Sequence, residues 1–214
     1  MKNKIILDLC GGTGAWSAPY KNHGYDVRNI TLPDYDVREY KPPENVYGIL
    51  ATPPCTMFSL ARTKAKKPRD LKEGMEIVIA CLKIIWECQY KLENPNARKT
   101  TLKFWALENP NGMLKFFLGK PAFIFDPWEF GDSYKKRTAL WGHFNEPVKT
   151  HKDITEVLTK EQIEKHKTNS QALPKFDSMK SRDIHSERFG ELDRQERRAI
   201  TPAGFAKAFY KANQ

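Results

Sequence analysis

No apolar run in this sequence approaches the length of about 20 residues that a spanning helix needs, so a helical membrane protein is not expected. Cysteine is scarce. The four present, Cys10, Cys55, Cys81 and Cys88, form no CxxC pair and no His-x-Cys metal spacing. That argues against a disulfide scaffold and a structural zinc site, and it leaves free thiols in a reducing compartment as the expectation. The GxGxxG turn of dinucleotide binders is absent, as is any internal repeat or low-complexity tract. The chain opens on a strand-like run with no leader pattern, so no signal peptide is expected. Acidic residues are the minority charge: 26 Asp and Glu against 36 Lys and Arg, net +10 with a pI near 9.4. That imbalance favours a polyanionic partner, although a basic surface alone can also be merely soluble.

What is present fits one α/β domain. The 214 residues, 40% hydrophobic and 29% charged, suffice for a sizeable core. Lys4 to Leu9 is a compact apolar run with Asp8 near its end, and Cys10-Gly11-Gly12-Thr13-Gly14 follows at once. Ala15 to Ala18 then reads as a helix start. Strand, glycine turn and helix together open a nucleotide-type unit, in which the turn lets a ligand approach the backbone closely. Tyr25 to Leu32 reads as a second strand with no acid at its tip; Asp34 and Asp36 lie just beyond. Turn chemistry accounts for either acid, and Asp36 can also lie beside a bound ring.

Val46 to Leu50 reads as a buried strand that runs into Ala51-Thr52-Pro53-Pro54-Cys55-Thr56-Met57-Phe58-Ser59. The prolines end the strand and hold the loop stiff, with Cys55 at the mouth where α/β sheets bind ligands. A nucleophile and a small packed thiol both fit this stretch. Ser59 to Arg69 is a basic loop containing Arg62, Lys64, Lys66 and Lys67, suited to a phosphate backbone or simply to solvent. Asp70 to Tyr90 is the clearest helix by its broad apolar face. Phe104 to Leu107 reads as a strand ending at Glu108-Asn109-Pro110, which puts a carboxylate where the neighbouring strand puts a thiol. The same tripeptide at Glu93-Asn94-Pro95 follows a helix and is set aside. Ala122 to Phe130 and Thr138 to Phe144 read as strands around the basic turn Ser133 to Arg137. Thr159 to His166 reads as a short helix, and Thr201 and Pro202 as the N-cap and first residue of a final apolar-faced helix.

Taken in order, Asp8-Leu9-Cys10-Gly11-Gly12-Thr13-Gly14, Pro53-Pro54-Cys55-Thr56-Met57-Phe58-Ser59 and Glu108-Asn109-Pro110 resemble the cytosine-C5 DNA methyltransferase family, as a short phage-type member, over roughly residues 4 to 144. The resemblance implies a Rossmann-like, AdoMet-dependent methyltransferase fold with a mostly parallel sheet. It implies a catalytic domain over 1–148, a small polar insertion over 149–184 in place of a large target-recognition domain, and a C-terminal helix over 185–214. It implies Cys55 as the nucleophile and Glu108 as the group on the target cytosine. The family's Gln-x-Arg-x-Arg motif corresponds to Ser133-Tyr134-Lys135-Lys136-Arg137, with Arg137 catalytic and Lys135 on the substrate. Asp8, Cys10, Gly11, Gly12, Thr13, Gly14, Trp16, Asp36 and Pro53 would hold S-adenosyl-L-methionine, and Ser59, Arg62, Lys135 and Asn109 the substrate. No metal is expected. The implied partner is nucleic acid, foremost duplex DNA with a flipped cytosine, and the implied state is a monomer in the cytoplasm, the host's if phage-encoded. RNA, a free cytosine nucleotide, or a catalytically inactive nucleic-acid-binding role are the alternatives. The chain has Cys10 where the family has Phe and Ala15 where it has Gly, and it lacks the closing Gly-Asn motif, whose place Arg198 to Pro202 takes.

Overall fold

The computed structural model describes residues 4–61, 65, 67–90, 101–168, 192 and 194–214. Among them a six-stranded sheet is formed by β1 (Ile5–Leu9), β2 (Asp26–Ile30), β3 (Val46–Ala51), β4 (Phe104–Pro110), β5 (Phe123–Phe125) and β6 (Thr138–His143), in the order β2-β1-β3-β4-β6-β5. The sheet is mixed rather than mostly parallel. β2, β1, β3 and β4 pair in parallel, while β6 runs antiparallel to both β4 and β5. The chain therefore places β2 on one side of β1 and β3 on the other. The C-terminal ends of β1 and β3 form the switch point at which α/β sheets leave an open crevice.

Side-chain alternation divides the core in two. Leu7, Leu9, Ile49, Ala51 and Leu107 face α2 (Leu71–Gln89), meeting Val78, Cys81, Ile84 and Ile85. Ile6, Leu50, Phe104, Ala106 and Leu140 face the opposite layer, built from α1 (Ala18–Asn22) and a C-terminal helix over Ala203–Ala212. Phe125 stacks on Phe205 at 4.0 Å, and Trp16 meets Phe209 edge-on at 5.2 Å. β1 and β3 are buried on both faces, which is why their sequences read as continuous apolar runs.

Four expected boundaries move, one being the end of β4, which runs on through Glu108 to Pro110 instead of stopping at Leu107. Residues 11–17 form turns, so the helix expected from Ala15 is regular only over Ala18–Asn22. The strand expected over Ala122 to Phe130 stops at Phe125. Pro127 begins a 3₁₀ turn, and Asp126 and Glu129 close a capping box in which the Glu129 carboxylate accepts the Asp126 N–H at 2.7 Å. α3 (Lys115–Leu118) and α4 (Lys160–Thr168) are short, and α5 covers Arg194–Ala199. The final helix, α6, begins at Ala203 with Pro202 in the cap position rather than Thr201. Its Gly204 N–H is taken by the Asp132 carboxylate at 3.1 Å, a cap supplied from far along the chain. Of the expected insertion over 149–184, residues 149–168 are described. Lys149 ties this segment back to Glu129 at 2.8 Å. No helix among the described residues is long and apolar enough to cross a membrane.

Candidate active site

β1 and β3 set the two walls of the crevice. At the end of β1 the backbone turns sharply: Cys10, Gly12 and Gly14 take φ of 58°, 53° and 72°, the left-handed region that favours glycine. Cys10 adopts it as a non-glycine residue because its amide bonds the Ile30 carbonyl at 2.8 Å and its carbonyl accepts the Thr52 hydroxyl at 2.8 Å. Its thiol packs toward Cys81 on α2, so it contributes to the core beneath the turn. A Cβ on Gly11 would sit 2.4–2.6 Å from the Asp8 carboxyl and the Asn29 amide oxygen, which forbids any larger residue there. Asp8 is fully buried. One oxygen accepts the Ser17 hydroxyl at 2.5 Å, and the other has no partner, as is also true of the Asn29 Oδ1. Burial lifts the Asp8 carboxyl to about 6 against the Ser17 hydrogen bond. Trp16 is withdrawn from the turn, its ring packed on Phe205 and Phe209 at 1% exposure, so its contribution is to the core. Asp36 is likewise engaged elsewhere. It accepts the Arg38 amide and guanidinium, which hold its carboxyl down at about 2.

The Cys55 loop is fixed at several points. Pro53 is buried, and its carbonyl accepts the Asn109 side-chain N–H at 3.0 Å. Asn109, expected on the substrate, is 0% exposed and serves as this brace. The Cys55 carbonyl accepts the amides of Phe58 and Ser59 at 3.0 and 2.9 Å, making one tight turn. The Arg69 guanidinium forks onto the carbonyls of Met57 and Ser59 at 2.6 and 2.8 Å. The Phe58 carbonyl accepts the Met113 amide at 2.9 Å, and Gly112 leaves room for it: a Cβ there would lie 2.4 Å from that oxygen. Ser59 thus takes part through its backbone, and its hydroxyl accepts the Ala61 amide. Arg62 lies outside the described residues, as do Lys64, Lys66 and the tripeptide Glu93-Asn94-Pro95.

β3 and β4 pair with Ala51 opposite Leu107, so Glu108 stands one step beyond, beside the loop that carries Cys55. The two groups feel each other. Burial first, then the Glu108 charge, pushes the Cys55 thiol up; Lys136 and Arg198 act to lower it. Burial also raises the Glu108 carboxyl, and Lys136 opposes that rise. The cation facing both groups is therefore Lys136, whose ammonium is held by the Ile200 carbonyl at 3.2 Å. Arg137 points the other way, onto Asp126 at 3.1 Å, and Lys135 is exposed. Alternation along the approach to β6 explains this: Lys136 falls on the opposite side from its two neighbours. Lys136, Arg198, Arg69, Asn29 and Ser17 are the residues sequence reasoning missed. Only the first three carried a visible signal, as members of basic runs.

Neither the scan of family models nor the search of curated proteins finds a match for the chain. A solved structure of the Entamoeba histolytica methyltransferase EhMeth is similar in part, at 13% identity and a TM-score of 0.39, covering 72% of this chain. The chain spans 58% of the length of that protein. A likeness at this level speaks to neither substrate nor chemistry.

The chemistry must be read from the side chains. A half-buried thiol and a carboxyl, both raised toward their protonated forms, share one crevice with two cations, next to a glycine turn over two unpartnered acceptors. Such a set can supply a nucleophile, a proton and a place for a cationic ligand. Among the described residues no group of three His, Cys, Asp or Glu is placed to hold a metal ion.

Proposed function

We propose that this chain is an AdoMet-dependent methyltransferase that methylates C5 of cytosine in DNA through a covalent bond between the Cys55 sulfur and ring C6. The observation that carries this reading is the meeting of Cys55, on the loop after β3, with Glu108 of β4, and Lys136 acting on both. AdoMet fits the glycine turn. Its ammonium and sulfonium centres are cationic, and the unpartnered oxygens of Asp8 and Asn29 are acceptors lying against Gly11. When bound, it supplies an electrophilic methyl group.

Cytosine C5 is a weak nucleophile. Addition of the Cys55 thiolate at C6 converts the ring to an enamine and makes C5 reactive. The thiolate is costly beside an ionised Glu108, and less so once that carboxyl is protonated. The raised Glu108 is protonated more readily than an ordinary glutamate, so it can present its proton to ring N3 as Cys55 attacks. One group's neutrality thus assists the other's charge, with Lys136 and Arg198 favouring the anion. Such acid–base help is typically worth about 10²–10⁴ in rate. C5 would then take the methyl group, with S-adenosylhomocysteine as the leaving group, and loss of the C5 proton to water with expulsion of the Cys55 thiolate would restore the aromatic ring. A stacked base cannot enter the crevice, so the cytosine must be flipped at a cost of about a few kcal/mol. The net charge of +10 draws the strand to it.

A duplex oligonucleotide containing 5-fluorocytosine tests the covalent step, because fluorine at C5 blocks proton loss and leaves the adduct in place. Wild-type protein with AdoMet is expected to give a denaturation-resistant adduct, and Cys55→Ala none while still binding AdoMet. Methyl transfer by Cys55→Ala at the wild-type rate would sink the assignment. Radiolabelled AdoMet with duplex DNA, single-stranded DNA, tRNA and dCMP in parallel identifies the carrier of the base.

A further inference from the structure

Beside the nucleophile loop lies an apolar surface that the proposed chemistry does not use. α3 is anchored from below: Leu114 is fully buried, and the Gly119 carbonyl accepts the Trp141 indole N–H at 3.0 Å. The anchoring turns two phenylalanines outward. Phe116 is 74% exposed and Phe117 47%, and Leu60, on the loop after Cys55, is 64% exposed. Phe117 and Leu60 adjoin the Cys55 turn directly. Phe117 meets Phe58 edge-on at 6.2 Å, and the Leu60 amide lies 3.6 Å from where a Gly112 Cβ would be. Two exposed aromatics on so short a helix are costly to leave in water.

The sequence on either side of the platform is basic: residues 52–69 and 109–125 contain no Asp or Glu, and of their Lys and Arg the described ones are Lys67, Arg69, Lys115 and Lys120. The Lys115 ammonium lies 5.5 Å from the Phe116 ring centroid. An exposed aromatic face with an ammonium beside it suits an unpaired nucleobase and its phosphate, because every base has a π-face and every linkage a negative charge. A neutral apolar protein would not call for the cations.

We infer that Phe116, with Phe117 and Leu60 beside it, is a stacking platform for a base next to the target nucleotide on the nucleic-acid strand entering the crevice. The inference rests on the proposed function only for the strand that delivers the target. The platform holds the strand while the target base sits against Cys55. It is a positioning device and touches no reacting atom.

Fluorescence anisotropy with a fluorescein-labelled single-stranded DNA of mixed sequence, at fixed salt, measures it without turnover. Phe116→Ala is expected to bind about 5- to 150-fold more weakly, the range that loss of one base–aromatic stack gives. Phe116→Trp is expected to restore binding, and both variants to keep the wild-type melting temperature because the ring is exposed. Equal affinity of Phe116→Ala and wild type overturns the platform while leaving the Cys55 chemistry standing. So does a wild type that binds no DNA strand, or a change in sedimentation mass in Phe116→Ala, which would make this face a contact between copies. Weaker binding by Phe116→Ala in a protein that shows no transfer to any cytosine substrate supports the platform and removes the methyltransferase reading instead.

Discussion

Asp8 offers a sharp test of how the glycine turn is organised, because its carboxyl is fully buried yet half-partnered. Its ordinary value of 3.8 rises to about 6 in the fold, chiefly through desolvation. Between those values the folded chain holds a proton that the unfolded chain has released. The unfolding free energy therefore falls as pH rises through that window and is flat above about pH 7. A shift of about two units corresponds to roughly 3 kcal/mol lost between pH 4 and pH 7. Asp8→Asn removes the charge but keeps an acceptor for the Ser17 hydroxyl, while leaving an amide N–H at the unpartnered side at a cost of about 1–3 kcal/mol. The expected balance is a variant about as stable as wild type or up to about 2 kcal/mol more stable at pH 7.5, and less stable than wild type at pH 4.5. Urea denaturation at the two pH values reads this directly, and calorimetric titration with AdoMet is expected to show weakened binding. A pH-independent stability difference between Asp8→Asn and wild type would refute the claim that a desolvated carboxylate sits under the turn. On the proposed function such a group is tolerated because bound AdoMet would supply the missing partner.

Two further outcomes test the crevice. The pH profile of Cys55 alkylation by iodoacetamide is expected to move up in Lys136→Met and down in Glu108→Gln, since the first removes a favourable charge and the second an unfavourable one; shifts of the same sign in both would contradict the arrangement. Gly112→Ala must push the Phe58 carbonyl away from a Cβ at 2.4 Å, so a stability loss of about 1–3 kcal/mol in urea is expected, with methyl transfer down about 10²-fold from the displaced loop. Wild-type stability in that variant would show that the loop is not clamped there.

The sequence by itself determined the strands β1 and β3, the start of β4, the helix α2 and the place of Cys55 just past β3, because uninterrupted apolar runs ending in Gly, Pro or a carboxylate have few other foldings; that β4 continues through Glu108 to Pro110 comes from its pairing with β6. Asp70 caps α2 by accepting the Glu73 amide at 2.9 Å, as its residue type and place suggest. It could not determine which of three consecutive basic residues faces the thiol. Lys135, Lys136 and Arg137 are alike in composition, and only the pairing of β6 with β4 turns Lys136 inward and Arg137 onto Asp126. Nor could it show that Trp16 and Asn109 are spent on packing and bracing, since that depends on α6 and the Pro53 carbonyl arriving from distant parts of the chain. Local pattern sets the elements and the ends of the strands. Which side chains meet at those ends is a matter of strand order and register, and these exist only once the sheet has formed.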